Sequence, residues 1–76
     1  MGIQMHDSIE IRVNGEAAKV PANRTVAEIL AVLGVPEDRV AVELNRQIVR
    51  KTEWSSVRIL EGSEVEIVHF VGGGVQ

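Results

Sequence analysis

The sequence predicts a two-layer α+β domain, a mixed four- to five-stranded sheet with one helix packed on one face. Three observations predict it. An Asn14-Gly15 pair sits between two alternating segments, the stretch from Thr25 to Gly34 carries both ends of a helix, and an apolar strand from Glu64 runs into Gly72, Gly73 and Gly74.

Ile9, Ile11 and Val13 alternate with Glu10 and Arg12, the period of a half-buried strand. Asn14-Gly15 follows at once, and both residues tolerate the positive φ of a type I′ turn, so a second strand over Glu16 to Val20 pairs back on the first. Pro21 ends it, since proline has no N–H to give a ladder. Thr25-Val26-Ala27-Glu28 matches a capping box, and Val26, Ile29, Leu30 and Leu33 fall on one helical stripe before Gly34 and Pro36 stop the helix. The helix spans about residues 26 to 33.

Val40, Val42 and Leu44 form a third strand that breaks at Asn45-Arg46 ahead of a stub, Ile48-Val49. Trp54 to Leu60 has no period and is expected to be irregular, with Trp54 in the core. Glu61-Gly62-Ser63 is a turn. The last strand, Glu64 to Val71, places Val65, Ile67 and His69 toward the core, His69 at its edge, and Glu64, Glu66, Val68 and Phe70 on the other face. If this strand lies mid-sheet, parallel to the first, the arrangement is a β-grasp.

At 76 residues the chain has room for one domain, and a chain of this size buries only roughly 60% of its unfolded surface. Without cysteine, packing must hold the fold alone, and thiolate metal sites and a cysteine nucleophile are excluded. His6 and His69 lie far apart in sequence with no second ligand near either, so no metal is expected. A net charge of −3 with acidic residues spread along the chain argues against nucleic acid as a partner. No apolar run approaches the roughly 20 residues of a membrane span, and the start lacks the order of a secretory signal, so a cytoplasmic protein without membrane attachment is expected. Residues 1 to 7 are polar and aperiodic, a flexible N-terminal segment in which Met5 offers a second start. The domain proper then covers 8 to 71, and 72 to 76 form a glycine tail with a two-residue extension.

Glycine lacks a Cβ, so the tail from Gly72 can thread a channel too narrow for side chains. The glycine run is no nucleotide loop, because no helix follows it. Beside the tail, Val68 and Phe70 face away from the core stripe and make a landing patch for a partner, with Glu64 and Glu66 placed to steer a basic surface. The plainer reading has the N-terminal segment or the Trp54 region covering the apolar pair, and the glutamates merely solvated.

Four stretches taken together resemble the ubiquitin-like sulfur carriers, most of all the ThiS type of thiamine biosynthesis. They are Val13-Asn14-Gly15-Glu16, Thr25 to Leu30, Val40 to Asn45 with Ile48-Val49, and Gly62 to Val68 running on to Gly74. The resemblance implies a β-grasp fold and a protein that is acted upon, not an enzyme. In that family an E1-like, ThiF-like adenylyltransferase uses ATP to activate the terminal glycine carboxylate, and a cysteine desulfurase relay supplies sulfur. The resulting thiocarboxylate goes to thiazole synthase, a ThiG-like partner; the carrier itself holds no cofactor. By resemblance Gly74 is the adenylated and thiocarboxylated residue, with Gly73 and Gly72 as its tail. From Phe70 the four residues to Gly74 reach at most about 14 Å.

The chain departs from the family where Val75 and Gln76 follow the glycines. The first reading is that a peptidase removes them; cleavage one residue earlier would make Gly73 the reactive end. Otherwise the two residues are foreign to the working protein, or this copy does not carry sulfur. Carriers for molybdopterin or cysteine synthesis share fold and tail and are the alternatives, as is a ubiquitin-like modifier or interaction module that carries no sulfur.

Overall fold

The computed structural model describes residues 8–70. The N-terminal segment 1–7, and the tail with Val71, lie outside the described residues. The elements run β1 (Ser8–Val13), β2 (Glu16–Pro21), β3 (Arg24–Thr25), α1 (Val26–Leu33), β4 (Val40–Leu44), β5 (Gln47–Val49), a 3₁₀ turn (Lys51–Glu53), β6 (Arg58–Ile59) and β7 (Glu64–His69). Five strands make one sheet in the order β2-β1-β7-β4-β5. β7 is central, parallel to β1 and antiparallel to β4. This is the β-grasp arrangement, and it makes the strand that leads into the glycines the middle strand of the sheet.

Asn14 and Gly15 have φ of 51° and 86°, the doubly left-handed pair of a type I′ turn, and strand register follows from it, Val13 opposite Glu16 and Ser8 opposite Pro21. Pro21 is the last residue of β2, not the first residue beyond it. β2 is an edge strand, so the missing N–H leaves no neighbour unpaired. Asn45 and Arg46, at 51° and 71°, make the equivalent turn between β4 and β5.

The helix forms as its sequence requires. The Thr25 hydroxyl accepts from Glu28 N–H at 3.2 Å while the Glu28 carboxylate accepts from Thr25 N–H at 2.8 Å. The next orphan donors of the first turn go to the irregular segment: Val26 N–H donates to the Val57 carbonyl at 2.9 Å and Ala27 N–H to that of Trp54 at 3.0 Å. Gly34, at φ 74°, closes the other end.

Hydrogen bonding from the Thr25 backbone, helped by its hydroxyl and by Arg24 and Arg58 nearby, holds the Glu28 carboxyl below its ordinary value against the opposing desolvation. A depressed folded-state pKa gives stability that is complete above the unfolded value and lost as pH falls through the folded one. Glu28→Gln should therefore flatten the acid limb of a melting-temperature profile without moving its neutral plateau far. Thr25→Ala should cost about 1 kcal/mol by thermal unfolding at neutral pH.

The core is one cluster, in which Ile11, Val20, Val26, Ile29, Leu30, Val42, Ile59 and Val65 are fully buried. Trp54 joins it at 3% exposure, its indole N–H donating to the Val49 carbonyl at 2.9 Å. The segment from Trp54 to Leu60 is more ordered than its pattern suggests. Arg58–Ile59 pairs with Arg24–Thr25 in a second, two-stranded sheet, too short for any alternation to show in sequence.

Candidate functional site at the root of the tail

Gly72, Gly73, Gly74, Val75 and Gln76 lie outside the described residues, so the site on view is the strand that carries them. β7 ends at His69, two residues short of the predicted Val71. Phe70 is past the strand but still tied, its N–H donating to the Arg39 carbonyl at 2.8 Å. His69 is exposed, contrary to its expected place at the edge of the core. It pairs with Val40 on the last rung of the β4–β7 ladder, past the end of β1, so no β1 residue stands beside it on that edge.

The four predicted docking residues come together. Glu64, Glu66 and Val68 share the face opposite Val65 and Ile67 and are exposed, Val68 by 54%, and Phe70 beside them is exposed by 56%. Trp54 is in the core and covers neither apolar residue.

Register adds three residues that the linear pattern left out. Ala41 lies opposite Val68, Glu43 opposite Glu66, and Ile48 opposite Glu43. Ile48 is 67% exposed, so the outer face carries apolar side chains on both sides of an acidic pair. The two glutamates of β7 differ in consequence. Glu64 is in register with Arg12 of β1, an opposite charge, whereas Glu66 faces a like charge across adjacent antiparallel strands, an arrangement that is unfavourable unless a cation joins it.

Both hairpin asparagines hold β7. Asn45 donates its backbone N–H to the Glu64 carbonyl at 2.7 Å and accepts from Glu64 N–H through Oδ1 at 2.9 Å. From the opposite edge Asn14 donates its backbone N–H to the Val65 carbonyl and its side-chain amide pairs with the N–H and carbonyl of Ile67. In the sequence both are legible only as turn formers, because nothing local tells which strand lies beside a turn.

Among the described residues no three His, Cys, Asp or Glu side chains group as a metal site, and no helix is long and apolar enough to cross a membrane. A surface groove lined by Ser8, Lys19, Val20, Pro21, Ala22, Asn23 and Arg24 is at the far end of the sheet from Phe70. It plays no part in the tail-root geometry.

Comparison with known proteins places the chain in a family. The family model described as the ThiS family matches residues 9–74, the whole domain and the glycines with it. A protein named thiazole synthase from Paramagnetospirillum magneticum is 41% identical over 66 residues, 87% of this chain but 20% of that protein. The chain thus spans about a fifth of the length of that relative. The sulfur carrier protein ThiS of Bacillus subtilis is 34% identical over 65 residues, covering 84% of this chain and 98% of that one. Among solved structures, the crystal structure of the thiamine biosynthesis protein ThiS from Geobacter metallireducens superposes with a TM-score of 0.75 at 30% identity, covering 87% of this chain and 100% of that chain. A match that runs through both hairpins, the capped helix, the central strand and the glycines leaves one conclusion: this chain belongs to the ThiS family.

Proposed function

We propose that this protein carries sulfur as a thiocarboxylate on Gly74 for synthesis of the thiamine thiazole, and that it is a substrate of its partner enzymes with no catalysis of its own. The observation that carries the reading is that the family match includes the glycines through Gly74, directly after a central strand whose outer face is open.

The chemistry requires a free carboxylate at Gly74, and in this sequence that carbonyl is in peptide linkage to Val75. Hydrolysis of the Gly74–Val75 bond by a peptidase comes first. A carboxylate is a poor electrophile, so an E1-like adenylyltransferase spends ATP to join it to AMP, releasing pyrophosphate. The terminal sulfur of a persulfide from a cysteine desulfurase relay then attacks the acyl carbon and releases AMP, and a thiol reduces the resulting acyl disulfide, leaving the thiocarboxylate on Gly74 and a disulfide on the sulfur donor. The product is delivered to thiazole synthase; that a domain like this one makes up a fifth of a protein named thiazole synthase supports this acceptor. ATP is bound by the activating enzyme, and this chain holds no cofactor.

Docking falls to the face already described. Val68, Phe70 and Ile48 supply apolar area, and the Glu43–Glu66 pair receives a lysine or arginine from the partner, which relieves the like-charge contact. Glu64 contributes less, since Arg12 lies beside it.

The test is the intact mass of two forms, the full sequence and one ending at Gly74, each incubated with a ThiF-like enzyme, ATP and a sulfur source. The shorter form should gain the mass difference between sulfur and oxygen, and the longer should not until it is trimmed. Failure of the shorter form to gain it would reject the carrier reading; conjugates to lysine would point to a modifier.

A further inference from the structure

The strand that bears the tail outruns its neighbour. β1 ends at Val13, opposite Val65, yet β7 continues to His69. The lane beyond Val13 is taken by one side chain. Asn14 turns away in the left-handed conformation and donates its own N–H to the Val65 carbonyl at 2.8 Å. Its amide then accepts from Ile67 N–H through Oδ1 at 2.8 Å and donates through Nδ2 to the Ile67 carbonyl at 3.3 Å. A side-chain amide offers the same donor and acceptor as a peptide group, so pairing on this edge extends one rung past the end of the neighbouring strand. On the other edge the last tie is Phe70 to Arg39. Without Asn14, the stretch of β7 beyond Val65 would be held by β4 alone and could twist about that edge.

We propose that Asn14 is a positioning residue for the transfer reaction: by pinning Ile67 it sets the direction in which β7 leaves the sheet and so aligns the chain running to Gly74 with the partner's cleft. This rests on the carrier reading above. Gly74 lies seven positions beyond Ile67, at most about 25 Å of extended chain. While the outer face is seated on the partner, a small rotation at the root moves the acyl carbon by ångströms, and a misplacement of about 1 Å can cost as much as a hundredfold in rate. The effect belongs in turnover, not in docking, because Asn14 is a turn residue outside the Val68, Phe70 and Ile48 surface.

Asn14→Gly keeps the left-handed turn and removes both side-chain bonds. Asn14→Asp keeps the acceptor for Ile67 N–H and sets a carboxylate against the Ile67 carbonyl. A third variant, Val20→Ala, loosens the core at the far end of the sheet and serves as a control for lost stability. All are made in the form ending at Gly74, and sulfur gain is followed by intact mass with a ThiF-like enzyme, ATP and a sulfur source, at several carrier concentrations.

For Asn14→Gly and Asn14→Asp, kcat should fall about tenfold with KM within about twofold. Val20→Ala should react like the unsubstituted chain at temperatures where it is folded. If the Asn14 variants react as fast as Val20→Ala, or if all three slow only in proportion to their unfolded fraction, the positioning role is overturned and the carrier reading stands. If the unsubstituted chain itself gains no sulfur, both fall.

Discussion

Trp54→Ala should lower the stability of this domain by about 3–5 kcal/mol, the range for truncating a fully buried large aromatic. Folded domains hold only about 0.05–0.15 kcal/mol per residue, so for a chain this short the loss removes much or all of the margin. Trp54 does three things at once. Its ring fills the core at 3% exposure, its indole N–H satisfies the buried Val49 carbonyl, and its own carbonyl accepts from the first turn of α1 at Ala27. Losing the ring therefore loosens the end of β5 and the seat of the helix together. Trp54→Phe keeps most of the packing and gives up the indole hydrogen bond, a cost of about 1–3 kcal/mol for the carbonyl left alone. Denaturant titrations followed by far-UV circular dichroism separate the two. An alanine variant with an unchanged midpoint would mean that the core does not depend on this ring.

Val68→Arg should weaken engagement with the activating enzyme by about 2 kcal/mol or more, roughly a thirtyfold rise in KM, with the melting temperature nearly unchanged. Val68 is on the central strand, half exposed, opposite Ala41 and one rung from the Glu43–Glu66 pair. The substitution places a long cation on the proposed apolar contact and supplies from within the charge that the partner is proposed to bring. Glu66→Gln distinguishes the two contributions. It relieves the like-charge contact with Glu43 and so should stabilise the free protein slightly, while slowing association in a way that fades as salt rises. A Val68→Arg chain that is activated with unaltered KM would remove this face from the interaction.

Much of this was open to view in the sequence because the local signals were strong and agreed with one another. Asn14-Gly15 set a hairpin, Thr25 and Glu28 set a helix start, and the alternation of Val65 and Ile67 set a core-facing strand whose other side carried Glu64, Glu66, Val68 and Phe70. What stayed hidden depended on pairing between distant segments. The ribbon of Arg24–Thr25 with Arg58–Ile59 is two residues deep, below the length at which a period can be seen. Ile48 looked like half of a stub strand, and only its register with Glu43 puts it on the outer face. His69 kept the parity of a core residue, but parity cannot tell where the neighbouring strand stops. Asn14 and Asn45 carried a clear turn signal that masked their second task, gripping β7 from either edge.

Whether a bare Gly74 is made and loaded with sulfur can be read from the mass of this protein taken from its own cells while they make thiamine. The expected mass is that of a chain lacking Val75 and Gln76, part of it heavier than the free acid by the exchange of one oxygen for sulfur. Protein that keeps Val75 under those conditions, with no sulfur-bearing form, would contradict it.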